Sequence, residues 1–319
     1  MCIRDRLCIT LSTVPGETLA FNAMSLIVII IYKPLKFTNL EFILLKNYLD
    51  RVNDKIALLE IFLYLILGTF SGVLAGLFGI GGGIVIIPTF FYIFSFLGFP
   101  SEILSHMVLG SSLGVIVFSS ISSTFSHSNR GVVNWKLIRK VVPSICVGSA
   151  LGGLTAGNID SNTLQGLVSL FLLIASVQLI FEFPPPKQNP RTSTLGPVIA
   201  GGGIGWLSGI FGIGGGIFSV PYFYHRGLKM MNAIGTSAAC GIPIALSGTI
   251  TYIYIGFDEV ILPDNSWGYV YLPAALTVGI VSSLTARFGV KIAHRMKQKK
   301  LRIAFAFLVM IMALNLLTR

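Results

Sequence analysis

The sequence predicts an all-α, polytopic helical membrane protein built as two inverted repeats with broken helices at paired glycine clusters. Three observations carry that expectation. Of 319 residues, 54% are hydrophobic and only 11% charged, where a soluble domain carries about 25% charged residues; mean hydropathy is +0.82. Lys and Arg are absent from Ile56 to Asn129, Val141 to Pro186, Thr192 to His225 and Met230 to Ala286. A helical span takes roughly 20 apolar residues, so these windows hold about eight to ten membrane segments. Finally, one glycine-rich motif is written twice.

Apolar pieces fall near 59–79, 84–98, 105–125, 137–157 and 163–182, then 197–212, 217–224, 233–255, 268–288 and 302–318. Residues 1–55 read as a leader outside this pattern. Its "MCIRDR" resembles the translated end of a sequencing-library transposon, and "MSLIVIIIY" from Met24 is too short for a span and lacks a cleavage pattern. Repeat 1 occupies 56–182 and repeat 2 occupies 197–319. Between them, 183–196 contains three consecutive prolines, which exclude helix and favour an extended linker.

The two halves match in order. Gly72, Gly76, Phe78, Gly79, Gly81, Gly82, Gly83 and Pro88 recur as Gly205, Gly209, Phe211, Gly212, Gly214, Gly215, Gly216 and Pro221, a constant offset of 133. "GSSLG" at Gly110–Gly114 then faces "GTSAA" at Gly235–Ala239, and Pro143 with "LTA" at Leu154–Ala156 faces Pro273 with "LTA" at Leu284–Ala286. Loop charge orients the halves. Arg130, Lys136, Arg139 and Lys140 put the loop after the third segment inside, and Lys187 with Arg191 put the linker there. Arg226 and Lys229 are inside too, as is the run Arg287–Arg302, with seven basic residues and no acid. Asp160, Asp258, Glu259 and Asp264 mark outer turns. The third segment therefore runs inward and its copy outward. The same pattern explains the net charge of +11 without nucleic acid.

Three adjacent glycines are poor helix, each costing about 1 kcal/mol against alanine, and irregular backbone at membrane depth survives only where packed or lining a wet cavity. Pro88 and Pro221 are expected to limit the helices that follow. Half-helices meeting at "GIGGG" would aim bare N–H groups and a positive dipole end at an anion, and paired helix breaks in inverted repeats point to a transporter site. The candidate substrate-binding glycines are Gly81, Gly82, Gly83, Gly214, Gly215 and Gly216, with close packing as the alternative. For Gly72-x-x-x-Gly76 and Gly205-x-x-x-Gly209, packing is the expected role. Ser111, Ser112, Thr236 and Ser237 occupy matching places in the third segment and its copy; they either donate to an oxyanion or bond their own helices.

No Asp, Glu, Lys or Arg sits centrally in a span, which disfavours a carboxylate relay. His106 and His127, near segment ends, are expected at the interface. Cys146 and Cys240 are expected to be packed, and no Cys/His spacing suggests a metal or other cofactor. No convergent His, Cys, Asp or Glu set suggests an enzyme.

The motifs "GLFGIGGGIVIIP" with "GSSLG", "GIFGIGGGIFSVP" with "GTSAA", and "SNRGVVNW" at Ser128–Trp135 resemble the sulfite exporter TauE/SafE family, also called toluenesulfonate uptake permeases. The resemblance covers roughly Ile61 to Leu317. It implies a multi-pass permease of the cytoplasmic membrane moving small sulfur-containing anions such as sulfite, sulfonates or sulfoacetate. A passive anion channel shares every one of these features; a membrane-embedded enzyme or an assembly factor does not need the duplicated breaks. The implied partners are the bilayer and a small anion, with homo-oligomerisation left open.

Overall fold

The computed structural model describes residues 39–78, 82–180, 196–293 and 299–318. These form ten α-helices: α1 (Asn39–Phe78), α2 (Gly83–Phe96), α3 (Ser101–Ser128), α4 (Trp135–Gly157), α5 (Ser161–Ile180), α6 (Gly196–Phe211), α7 (Gly216–His225), α8 (Met230–Ile255), α9 (Leu272–Ala293) and α10 (Lys299–Leu317). Before α9, β1 (Ser266–Trp267) and β2 (Val270–Tyr271) pair antiparallel, Ser266 opposite Tyr271. Residues 1–38 of the expected leader and 181–195 of the linker lie outside the described residues. Residues 39–55, assigned to that leader, belong to α1.

Among the described residues, six helices are long and apolar enough to cross a membrane: 58–78 of α1, then α3, α4, α5, α8 and 272–292 of α9. Exposed apolar side chains on each of them, including Leu65, Ile121, Val147, Ile174, Ile250 and Ile280, present the surface a bilayer requires. α3 is central, with 89% of its apolar window buried against 39–56% for the other five. Side-chain caps start the helices that follow short turns. Asn134 Oδ1 accepts from Leu137 N–H at the head of α4, and Asp160 Oδ2 accepts from Thr163 N–H at 2.9 Å at the head of α5. Those bonds from Thr163 hold the Asp160 carboxyl below its usual range.

Small residues set helix directions. A methyl on Gly72 would strike Thr285 and Ser282, one on Gly76 the Ala286 carbonyl, and one on Gly68 would lie 2.8 Å from Val281 Cβ. Positions rise together, so α1 and α9 run parallel in contact. The same ladder joins α4 and α6: Gly201 meets Ser144, Gly205 meets Ile145, and Gly209 meets Ser149. The expected packing role of both glycine pairs is what the contacts show. α3 runs parallel to α9, with Gly114 near Ala275 and Gly279 near Phe118; α4 runs parallel to α8, with Gly153 near Thr251 and Gly157 near Ile255. Between α3 and α8 the order reverses: Gly110 meets Tyr252, Leu113 meets Gly248, and Ser120 meets Gly241. Those two helices are antiparallel. The first helix of each half thus packs on the fourth helix of the other.

Over residues 58–180 and 196–293 these directions sort the charges by end of the bundle, while residues 39–57 of α1 carry both signs. Arg130, Lys136, Arg139, Lys140, Arg226, Lys229, Arg287 and Lys291 fall at the end where α3 and α9 finish and α4 and α8 begin. Glu60, Glu102, Asp160, Asp258, Glu259 and Asp264 fall at the opposite end. No Asp, Glu, Lys or Arg is among the buried side chains of the described residues.

Candidate functional site

The glycine clusters reverse the chain. Gly212 (φ 63°) and Gly215 (φ 72°) both adopt the left-handed conformation that glycine enters without a Cβ penalty. Two such residues in four turn α7 back beside α6: a Cβ on Gly215 would lie 3.0 Å from Ser208 Oγ and 3.4 Å from Ile204 Cγ2. In the first half, Gly82 (φ 77°) sits against Ser71, 2.7 Å from its carbonyl, and Tyr64 packs edge-on to Phe90 at 6.2 Å. Ser71 with Gly82 and Tyr64 with Phe90 define an antiparallel hairpin. At each cluster the chain therefore doubles back onto the helix before it, so the half-helices expected to meet at the glycines form the arms of a turn. Gly81 lies outside the described residues, as do Gly79 and Ile80.

The prolines do not break these helices. Pro88 lies inside α2 and Pro221 inside α7, each the sixth residue of its helix. Only one ladder bond is lost there, so the helices continue. The expected break belongs to the glycines alone.

The two hairpin tips meet at the centre. A Cβ on Gly83 would lie 3.2 Å from Ile213 Cα and 2.9 Å from Ile116 Cδ1. Gly82 and Gly215 bring no side chain to cap α2 or α7. The first ladder bonds run from Val85 and Ile86 N–H to the Gly82 carbonyl, and from Phe218 and Ser219 N–H to the Gly215 carbonyl. Gly83, Ile84, Gly216 and Ile217 thus have N–H groups without an intrahelical partner, and all four residues are buried. The backbone of Gly214 joins this tip, with its carbonyl near Gly241.

The four candidate hydroxyls divide by task. Ser112 Oγ donates to the Gly212 carbonyl at 3.0 Å, fixing the second tip to α3. Ser237 Oγ lies 2.7 Å from Ser219 Oγ in the first turn of α7. Ser111 and Thr236 instead hold loops. Ser111 Oγ accepts from Tyr271 N–H at 2.9 Å, and Thr236 Oγ1 accepts from Asn134 N–H at 3.1 Å. Each thereby secures the segment that enters the fourth helix of a half.

Those loops close both ends of the central helices. At the acidic end the β-hairpin dips inward: Tyr269 stacks on His106 at 4.9 Å, and Tyr271 packs against Phe94 and Phe99. Tyr269 and Tyr271 donate to Glu259 and Glu60. Burial first, then the Glu259 carboxylate, pushes the Tyr269 phenol up to about 12, so it stays a donor. At the basic end, Val132 and His127 cover Gly235.

Both histidines lie near the ends of α3 and both are buried. His106 Nε2 lies 3.1 Å from the Ala156 carbonyl, and His127 Nε2 lies 3.3 Å from the Gly76 carbonyl. The reason is tertiary: close helix contact leaves carbonyls that ring nitrogens reach. At the 125 offset, His127 matches Tyr252, whose hydroxyl donates to the Gly209 carbonyl at 3.2 Å. Gly76 and Gly209 are themselves motif partners. Nothing local marks His127 and Tyr252; the repeat register was the available signal. Cys240 is buried and Cys146 partly so, both free. No group of His, Cys, Asp and Glu among the described residues could hold a metal ion. A groove of about 520 Å³ lined by Val147, Gly148, Val198 and Trp206 lies on the outer face between α4 and α6. It is apolar and away from the tips, so it is not the candidate site.

Buried helix N-termini at the heart of an apolar, multi-span bundle define a polytopic membrane transport protein. Residues 64–316 match the family described as Sulfite exporter TauE/SafE, and the chain belongs to that family. It is 33% identical over 257 residues to a "Probable membrane transporter protein" of Haemophilus influenzae, covering 80% of this chain and 97% of that one. A protein of the same description from Methanocaldococcus jannaschii is 32% identical over 258 residues, covering 80% and 94%. A shorter match, 29% over 198 residues, is to a Bacillus subtilis protein of that description. No solved structure matches the chain.

Proposed function

We propose that this transporter is a secondary permease of the cytoplasmic membrane that moves small sulfur-containing anions such as sulfite, sulfonates or sulfoacetate. The observation that carries the proposal is a buried helix N-terminus without a side-chain cap on each of two hairpin tips that touch through Gly83 and Ile213, with no buried cation or carboxylate among the described residues. Dipoles and hydroxyls hold a monoanion or dianion weakly enough to release it. The duplicated hairpins read as inverted repeats whose rocking exposes the tips to each side in turn. A passive channel through the same site is the second reading, since the tips serve it equally.

Counterflow separates these. Proteoliposomes loaded with unlabelled sulfite, sulfoacetate or methanesulfonate should transiently accumulate the labelled anion above equilibrium, and should ignore neutral analogues. Simple equilibration without overshoot would make it a channel. The same activity should persist in Cys146→Ser with Cys240→Ser, because this reading assigns the anion to N–H groups and hydroxyls; its loss would reveal missed thiol chemistry.

Orientation has its own test. Val260 is 92% exposed at the acidic end, and Asn129 is exposed at the basic end. In intact cells an impermeant thiol reagent should label Val260→Cys and leave Asn129→Cys unmodified. Labelling of Asn129→Cys alone would invert the proposed topology.

A further inference from the structure

The two hairpin tips are equivalent in sequence register but not in their surroundings. Ser208 faces Gly215 at the α7 tip, Ser219 lies in the first turn of α7, and Ser120 of α3 faces Gly241 beside the Gly214 carbonyl, with Ser123 one turn further along α3. Their repeat partners in sequence register are Ala75, Ile86, Ala245 and Gly248. These four hydroxyls have no counterpart in the other half, while Ser71 beside Gly82, matched by Ile204 beside Gly215, bonds its own helix at the Gly68 carbonyl.

Two of these hydroxyls lack partners. Ser120 Oγ and Ser123 Oγ are buried, each residue 1% exposed, and neither makes a hydrogen bond among the described residues. An unsatisfied hydroxyl inside a protein is unfavourable, so such groups call for an explanation such as a bound ligand. Ser120 is directed at the α7 tip: a Cβ on Gly241 would lie 2.6 Å from Ser120 Oγ and 3.5 Å from the Gly214 carbonyl. The next residues along that tip are Gly215 and the uncapped N-terminus of α7. Ser123 stands one turn further along α3, toward the basic end. By contrast, the α2 N-terminus is pressed against Ile213 and Ile116 at Gly83. Thr124 and its partner Thr249 are both unpartnered, so that position does not discriminate between the tips.

Resting on the anion-permease reading, we infer that the protein has one asymmetric oxyanion site, formed by the α7 N-terminus at Gly216–Ile217 with Ser120 and Ser123 of α3. The α2 tip is a packing element. A serine hydroxyl donates one hydrogen bond to an oxyanion oxygen, and the helix start supplies oriented N–H groups beside it. A cation finds no carboxylate there among the described residues. The positions that contribute donors all derive from the side that repeat 2's hairpin faces, so the duplicated fold holds a single substrate.

The test uses an anion that the wild-type protein carries in the counterflow panel, with the intact protein in proteoliposomes and in detergent. Ser120→Ala should raise its half-saturation concentration about tenfold, the loss of one hydrogen bond, and Ser123→Ala should raise it less. Thr249→Ala, on the mirror face, should leave it unchanged. Thermal unfolding of the empty protein provides the second readout. Removing an unsatisfied buried hydroxyl should leave the melting temperature the same or higher, whereas removing a structural hydroxyl lowers it. Weaker substrate affinity with undiminished empty-state stability is therefore the expected signature. Unchanged half-saturation in Ser120→Ala overturns the asymmetric site while leaving the permease reading standing; a lowered melting temperature overturns it by making the hydroxyl structural. If the wild type carries none of the panel, the permease reading falls and this site with it.

Discussion

Gly212→Ala should yield little folded protein, and Gly82→Ala should fare nearly as badly. At Gly212 (φ 63°) the new Cβ would lie 2.9 Å from Leu109 Cα, and at Gly82 (φ 77°) it would lie 2.7 Å from the Ser71 carbonyl. Both neighbours are backbone and cannot swing aside. Left-handed backbone costs an alanine about 1–2 kcal/mol, and overpacking a tight core adds roughly 1–3 kcal/mol. Their sum is a large share of a marginal stability of about 5–15 kcal/mol. Gly215 (φ 72°) is the milder case of the three, because its hardest contact is the movable end of Ile244. Gly131 isolates strain alone: its φ is 68°, with nothing within 4 Å of the new Cβ. The expected order of destabilisation is Gly212 and Gly82, then Gly215, then Gly131. It is read from melting temperature and monodispersity in detergent. Gly212→Ala melting no lower than Gly131→Ala would remove the hairpin tips as the structural centre.

That order also explains what the residues disclose and what they conceal. Segment positions were legible because bilayer-length apolar runs and charge-free windows leave few alternatives, and the small-residue pairs announced close contact at Gly76 and Gly209. The break at each cluster was legible too, since three glycines forfeit helix. Its direction was not. A glycine run shows where helix fails, but whether the chain continues or doubles back depends on which φ values turn positive and what the next helix packs against. Proline misled for a related reason: near the start of a helix it removes one bond, and α2 and α7 carry on through Pro88 and Pro221.

The candidate site was legible in outline only. Adjacent hydroxyls look alike in one dimension, yet Ser111 and Thr236 secure incoming loops while Ser112 and Ser237 reach the tip of α6–α7 and the first turn of α7. The inward dip of Tyr269–Tyr271 depends on distant residues, Gly110, His106 and Tyr252, that clear space or stack. Nothing local marks Ser120 and Ser123, since a helical serine ordinarily bonds its own backbone. That Ser120 faces Gly241 of α8 appears only in the packed structure.

A disulfide at the tip of α7 should abolish transport and release it again on reduction. Ser219 Oγ and Ser237 Oγ lie 2.7 Å apart, so cysteines there need only a small side-chain adjustment to reach an S–S bond of about 2.05 Å. In a background lacking Cys146 and Cys240, Ser219→Cys with Ser237→Cys should work when reduced, at lower affinity, because a thiol donates more weakly than a hydroxyl. Oxidation would tie the first turn of α7 to α8 and hold the α7 N-terminus in place. If transport requires this tip to open, counterflow should fall to background on oxidation and recover with reductant, while either single cysteine stays insensitive. The placement matters more than the bond itself. A lock within one half leaves the contact between α3 and α8 untouched, so rigid rocking of one whole half against the other could still proceed. Loss of transport would then mean that α7 and its donors must move or be exposed during the cycle. Oxidised protein that still transports at the reduced rate would remove the α7 tip from the path of the anion, whatever the fold around it.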